Sequence, residues 1–208
     1  MKATSKKLVI ATRNVGKIVE FRRLLDAISE GAVELVGIDQ FPELDDVEET
    51  GATFEENALL KARYSAKMTG LPAISDDSGL CVDALGGRPG IFSARWAGEH
   101  GNDAANVRKI LDDLLHIPDE KRGAYFICVS ALVMPDGREA VAEGFFHGRI
   151  LHEAIGENGF GYDPIFLPLG ASISSAQMSA EEKDSISHRG KSLRAIAPHV
   201  MEMLGVLG

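Results

Sequence analysis

The opening of the chain constrains its fold more than any other stretch. Lys7 to Thr12 reads KLVIAT, a short apolar run that ends in a polar turn. From Gly16 to Ile28 the apolar residues Ile18, Phe21, Leu24, Leu25 and Ile28 recur at helical spacing, and Val33 to Ile38 is a second apolar run. A short apolar run suits a buried strand, whereas apolar residues three and four apart mark one face of a helix. Strand, helix and strand therefore follow one another through short links. A strand that returns through a helical crossover lies parallel to the first, so a β-α-β unit with a parallel pair is predicted.

The acidic stretch Phe41 to Gly51 is irregular. Thr53 and Glu56 then have the spacing of a capping box, in which hydroxyl and carboxylate each satisfy a free N–H at a helix start. A helix should run from there to about Met68, ended by Gly70, with Pro72 preventing its return. Pro72 to Asp76 and Leu80 to Ala84 read as two short strands around an Asp76-Asp77-Ser78-Gly79 turn. Gly86 to Gly101 is a glycine-rich loop, and Asn102 caps a helix carrying Val107, Ile110, Leu111 and Leu114 on one side. Ala124 to Met134 and Arg138 to His147 are β-like runs joined by Pro-Asp-Gly, which predicts an antiparallel hairpin. Ser179 and Glu182 repeat the capping-box spacing, and a last helix carries Leu193, Ile196, Val200 and Leu204, with Pro198 expected to kink it. The expected fold is α/β, a single domain of residues 1–208 with a mixed parallel/antiparallel central sheet and two lobes around a cleft. A length of 208 residues, 45% of them hydrophobic, is enough for a sizeable core.

Charge narrows the functions. There are 31 acidic and 22 basic residues, a formal net charge of -9. A non-specific nucleic-acid binder needs a positive contact face, so no nucleic-acid partner is expected. Excess carboxylate suits divalent metal instead, and a phosphate-bearing ligand would need local basic clusters. No apolar run is long enough to span a bilayer, and Leu8 to Ala11 is too short for a signal-peptide core. Cys81 and Cys128 stand in apolar stretches without metal-ligand spacing, as reduced core thiols do. A cytoplasmic protein without a membrane partner is expected.

Five segments can carry chemistry. Thr12-Arg13-Asn14-Val15-Gly16-Lys17 lies at a strand-to-helix junction, where free N–H groups and the helix dipole favour phosphate; a plain turn capped by Asn14 is the equal alternative. It is not a Walker A loop, which would need glycine in place of Ala11 and serine or threonine in place of Ile18. Glu48-Glu49 and Asp76-Asp77-Ser78-Gly79 pair carboxylates in a way that favours a hard cation, since Mg²⁺ takes one or two carboxylates and completes its shell with water and phosphate. Asp46 or Glu49 serves as well as Glu48 on that reasoning. Asn57 and Lys61, four apart on one helix, share a face, and Lys61 can steer phosphate or sit in solvent. Gly159-Phe160-Gly161-Tyr162-Asp163-Pro164 can lay a ring flat against a base or form a turn with two aromatic anchors. Lys183, His188, Arg189, Lys191 and Arg194 surround a break at Ser187-His188-Arg189-Gly190. They offer donors to an oxo group or phosphate, or else form a basic face on a C-terminal helix.

In order along the chain these segments, with Glu49-Thr50-Gly51-x-Thr53-Phe54-x-Glu56-Asn57-Ala58 and Ala84-Leu85-Gly86-Gly87-x-Pro89-Gly90, closely resemble the inosine triphosphate pyrophosphatase family from about Lys7 to Arg194. The resemblance implies a homodimeric α/β enzyme that hydrolyses ITP, dITP and XTP to the monophosphate and pyrophosphate with Mg²⁺ as cofactor. It implies that Thr12, Arg13, Asn14, Val15, Gly16 and Lys17 bind the triphosphate. Asp77 would be the proton acceptor and a metal ligand, with Glu48 as the other. Ser78, Phe160, Gly161, Tyr162, Asp163, Lys183, His188 and Arg189 would contact the nucleotide. Arg13 departs from the glycine often found second in the first motif. The alternatives are a pyrophosphatase for other modified nucleoside triphosphates and a nucleotide-binding module without catalysis.

Overall fold

The computed structural model describes residues 5–206. Strand β1 (Lys6–Ile10), helix α1 (Val15–Ser29) and strand β2 (Val33–Gly37) form the predicted opening. β1 and β2 pair in parallel from Lys6 opposite Val33 to Ile10 opposite Gly37. Asn14 caps α1 by accepting from Lys17 N at 3.0 Å, and the helix buries Phe21, Leu24 and Leu25.

Helix α2 (Phe54–Thr69) starts where Thr53 accepts from the Glu56 N–H at 3.1 Å and ends at Gly70, which takes the left-handed φ of 67°. The next element differs from expectation. Ala73–Val82 is one continuous strand, β3, paired in parallel with β1 through Val9–Ala73 and Ile10–Ile74. The expected turn at Asp76-Asp77-Ser78-Gly79 between two short strands is absent. Lysines from elsewhere meet this pair instead, so the backbone stays extended and Asp76 and Asp77 stay buried.

Helix α3 (Asp103–Asp113) follows the glycine-rich loop, and strands β4 (Gly123–Val133) and β5 (Glu139–Ile150) form the predicted hairpin. Its turn closes with Met134 N donating to Arg138 O at 2.9 Å and Gly137 N to Met134 O at 3.0 Å. So short a link forces antiparallel neighbours. Strand β6 (Phe166–Pro168) pairs antiparallel with β5. The sheet order is β2-β1-β3-β4-β5-β6, a mixed sheet as expected. Helix α4 (Ala180–Ile186) opens with the capping box of Ser179 and Glu182, and α5 (His188–Met203) follows the extended Ser187. Pro198 lies inside α5, where it supplies no N–H to the carbonyl four residues earlier.

The chain divides into two compact units: residues up to Asp77 with Cys128–Gly144 and those from Gly190, and Ser78–Ile127 with Phe145–Arg189. The first encloses Leu8, Ile10, Phe21, Ile74, Leu132, Leu193, Ile196 and Val200. The second encloses Leu80, Ile110, Leu114, Phe126, Phe146, Ile150, Tyr162 and Phe166. Fully burying each such side chain contributes about 1.5–3 kcal/mol. Arg122 is buried in the second unit and donates to the carbonyls of Ile150, Leu114 and Leu151 at 2.9, 2.7 and 2.8 Å. Those acceptors satisfy a cation whose pKa burial pushes down, and they tie the end of α3 to the end of β5. Both cysteines are buried and neither forms a disulfide. Among the described residues no helix is long and apolar enough to cross a membrane.

Candidate functional site

Two groups of polar side chains are drawn out of solvent, one in each unit. The first gathers around the middle of β3. Strand geometry turns successive side chains to opposite faces, yet both Asp76 and Asp77 are buried, at 1% and 5% exposure. Each meets a lysine. Lys17, in the first turn of α1, places Nζ 2.9 Å from Asp76 Oδ2. Lys61 of α2 places Nζ 2.6 Å from Glu49 Oε1 and 3.8 Å from Asp77 Oδ1. Asn57, one helical turn before Lys61, donates from Nδ2 to Asp77 Oδ2 at 3.1 Å and accepts at Oδ1 from Gly51 N at 2.8 Å. The capped start of α2 thus aims an amide and an ammonium at one carboxylate.

Three carboxylates, Glu49, Asp76 and Asp77, are drawn together here with Lys17 and Lys61. Burial pushes Asp77 up to about 6, and Lys61, Lys17 and the Asn57 amide only partly offset it, while Glu49 adds to the rise. Burial opposes the Lys61 ammonium, but Asp77, Glu49 and Asp76 outweigh it and its pKa is raised. A hard cation brought to these oxygens would favour the ionised Asp77 that burial and Glu49 oppose. Among the described residues no group of three or more His, Cys, Asp or Glu side chains forms a ready-made metal cage. The donor set fits a cation that takes one or two carboxylates and fills its shell with water and phosphate.

The other residues of the first motif are less enclosed. Thr12 and Gly16 are half-buried, while Arg13, Asn14 and Val15 are exposed. Arg13 turns to the acidic segment, donating from Nε to Asp46 Oδ1 at 2.5 Å and from Nη2 to Leu44 O at 2.7 Å. Glu48 is exposed, and its carbonyl accepts from Thr50 N at 3.0 Å. Glu49, left open in the sequence as an alternative to Glu48, is the carboxylate gathered with Lys61.

The second group is built on the loop before β6 and on α4 and the first turn of α5. Lys183 is buried at 6% exposure and pairs with Asp163 Oδ2 at 2.5 Å. The same oxygen accepts from Phe160 N at 3.0 Å. Gly159 takes φ of 75°, and a Cβ there would collide with the Asp163 carboxylate, so the loop requires glycine. The Lys183 ammonium and the Arg189 guanidinium lie 5.3 and 5.2 Å from the Phe160 ring centroid. Arg189 also donates from Nη2 to Ser78 Oγ at 3.0 Å.

His188 stacks on Phe126 at 4.8 Å between centroids and is buried. Tyr162 is a core residue whose hydroxyl donates to Ser93 O at 2.8 Å. Gly161 donates its N–H to Asp103 Oδ2 at 2.8 Å. Sequence reasoning passed over Asp103 because, next to the cap Asn102, it reads as an ordinary helix start. Of the predicted basic cluster, Lys183, His188 and Arg189 are drawn inside, whereas Lys191 and Arg194 are exposed.

The family model described as the Ham1 family matches residues 8–199. A protein of Streptomyces avermitilis named dITP/XTP pyrophosphatase is 55% identical over 199 residues, covering 96% of this chain and 99% of its own. A crystal structure of the nucleoside-triphosphatase / dITP/XTP pyrophosphatase from Mycobacterium abscessus superposes with a TM-score of 0.75 at 51% identity, covering 92% of this chain and 99% of the other. The structure of a HAM1 protein from Coxiella burnetii gives a TM-score of 0.84 at 40% identity, covering 95% and 99%.

Proposed function

The chain belongs to the Ham1 family, and on that premise we propose how it works as a nucleoside triphosphate pyrophosphohydrolase. It hydrolyses nonstandard purine nucleoside triphosphates to the monophosphate and pyrophosphate, as the names of its relatives support. The observation that carries the assignment of roles is the arrangement of the half-buried Glu49 and Lys61 around the buried Asp77 and Asn57, with Lys17 on the neighbouring Asp76.

Asp77 is the proton acceptor. In the metal-free protein burial pushes its pKa up to about 6, which leaves it ionised at neutral pH and so able to accept a proton. Asn57 and Lys61 hold its orientation. Mg²⁺ would be held by Asp77 with Glu48 or Glu49, and when bound it would neutralise phosphate oxygens. Glu49 has the better claim, because its carboxylate already faces the cluster. Lys17 and the loop Thr12, Arg13, Asn14, Val15 and Gly16, with the free N–H groups at the start of α1, bind the polyphosphate, so that pyrophosphate leaves against positive charge.

The base is assigned to the second group. Phe160 offers a ring to stack on, and Ser78, Gly161, Tyr162, Asp163 and Lys183 shape the surroundings. Arg189 and His188 donate toward an oxo group at C6 of hypoxanthine or xanthine. Adenine has an amino donor there, and each buried donor left opposed costs about 1–3 kcal/mol. The family resemblance also supports a homodimer and a cytoplasmic enzyme.

A screen of ITP, dITP, XTP, GTP, ATP and dUTP that identifies both products tests the reading. Monophosphate and pyrophosphate from the first three are expected, with little from ATP or dUTP. Orthophosphate as the first product, or a preference for dUTP, would overturn it.

A further inference from the structure

We propose that Asp103 is a positioning residue that fixes the Phe160 ring by holding the loop backbone beside it. The proposal rests on Phe160 as the surface for the base. The loop from Ile155 to Pro164 has no strand or long helix of its own, so its shape depends on what its N–H groups find. Ile155 N donates to Pro164 O at 2.9 Å, and Glu157 N and Asn158 N donate to Ala176 O at 3.2 and 2.9 Å. Those bonds hold the base of the loop. At its tip, Phe160 N donates to Asp163 and Gly161 N donates to Asp103.

Two consecutive N–H groups flanking the Cα of Phe160 thus each end on a carboxylate. Asp163 belongs to the loop itself and also holds Lys183. Asp103 comes from the first residue of α3, a separate element. The distal end of that helix is fixed because Arg122 donates to the Leu114 carbonyl. Asp103 therefore references the loop tip to the rigid part of the unit. Gly161 has φ of 62° with no atom near a would-be Cβ, so the turn after Phe160 is chosen for its backbone conformation and not for close packing. A charge-assisted bond to that amide selects one loop conformation out of several. Without it, the ring loses its fixed pose and substrate binding must restore the order.

The effect belongs to binding and leaves Asp77 and its partners untouched. With dITP as substrate, Asp103→Ala should raise KM about three- to tenfold, because solvent partly screens a charge-assisted hydrogen bond at the surface. The same variant should keep kcat within about twofold. Asp103→Asn, which keeps an acceptor oxygen, should recover most of that loss. Asn102→Ala removes the α3 cap and so reports general damage to the helix start; it should leave KM nearly unchanged. The Gly161 amide should exchange faster with solvent in Asp103→Ala than in the parent.

Equal KM for Asp103→Ala and the parent, equal losses in Asn102→Ala and Asp103→Ala, or no rescue by Asn would overturn the proposal. Phe160→Ala separates its failure from that of the base assignment. If Phe160→Ala raises KM and Asp103→Ala does not, only the positioning role fails. If Phe160→Ala leaves KM unchanged, the base assignment fails and takes this role with it.

Discussion

Asn57 Nδ2 donates to Asp77 Oδ2 at 3.1 Å, from the same helix face that presents Lys61. The bond favours the ionised carboxylate. Asn57→Ala removes it together with the acceptor for Gly51 N. The pKa of Asp77 should then rise further, moving the acid limb of the rate–pH profile to higher pH. Leaving two groups without their partner should cost about 1–3 kcal/mol of stability each at most, measured by urea unfolding.

Asp77→Asn should abolish turnover, yet stabilise the metal-free protein at neutral pH. Asp77 is raised from 3.8 to about 6 in the fold, so the folded state takes up its proton before the unfolded chain does. The resulting penalty is present in full above about pH 6, fades as pH falls and is gone below 3.8. Unfolding with a chelator present should show the variant about 1–3 kcal/mol more stable near pH 7.5 and within about 0.6 kcal/mol of the parent near pH 4. Equal stability at both pH values would show that burial does not oppose this charge.

Arg189→Ala should reduce kcat/KM for dITP by about ten- to a hundredfold, the range for a lost charge-assisted bond. The residual ATP rate should change much less, since adenine offers no acceptor at that position. Parallel kinetics on the two substrates decide it, and equal losses would remove oxo recognition from the account.

Arg13→Gly tests the departure from the familiar first motif. Arg13 and Asp46 are 46% and 81% exposed as side chains, and exposed pairs contribute about 0–1 kcal/mol. The substitution should shift stability by less than about 1 kcal/mol, and the shift should shrink at high salt. A larger loss would mean that the Leu44 and Asp46 contacts organise the acidic segment.

The elements that were legible in the sequence are those with local physical signals. The helical spacing of Phe21, Leu24 and Leu25, the Thr53–Glu56 cap and the Pro-Asp-Gly turn each act within a few residues, and each formed where expected. The Asp76-Asp77 stretch was misread as a turn because its partners, Lys17 and Lys61, are remote in sequence and invisible to a local reading. Asp103 was missed for the same reason: Gly161 lies far along the chain, and only folding gives the carboxylate its second task. Burial of Lys183, His188 and Arg189 was equally out of reach, because basic residues near a helix start most often face solvent.

Hydrolysis of dITP in ¹⁸O-labelled water tests the central claim most directly, because the bond that breaks is recorded in where the label goes. If water, deprotonated by Asp77, attacks the α-phosphorus, mass spectrometry should find one labelled oxygen in dIMP and none in pyrophosphate. Label in the pyrophosphate, with dIMP unlabelled, would place the attack at the β-phosphorus and contradict the account.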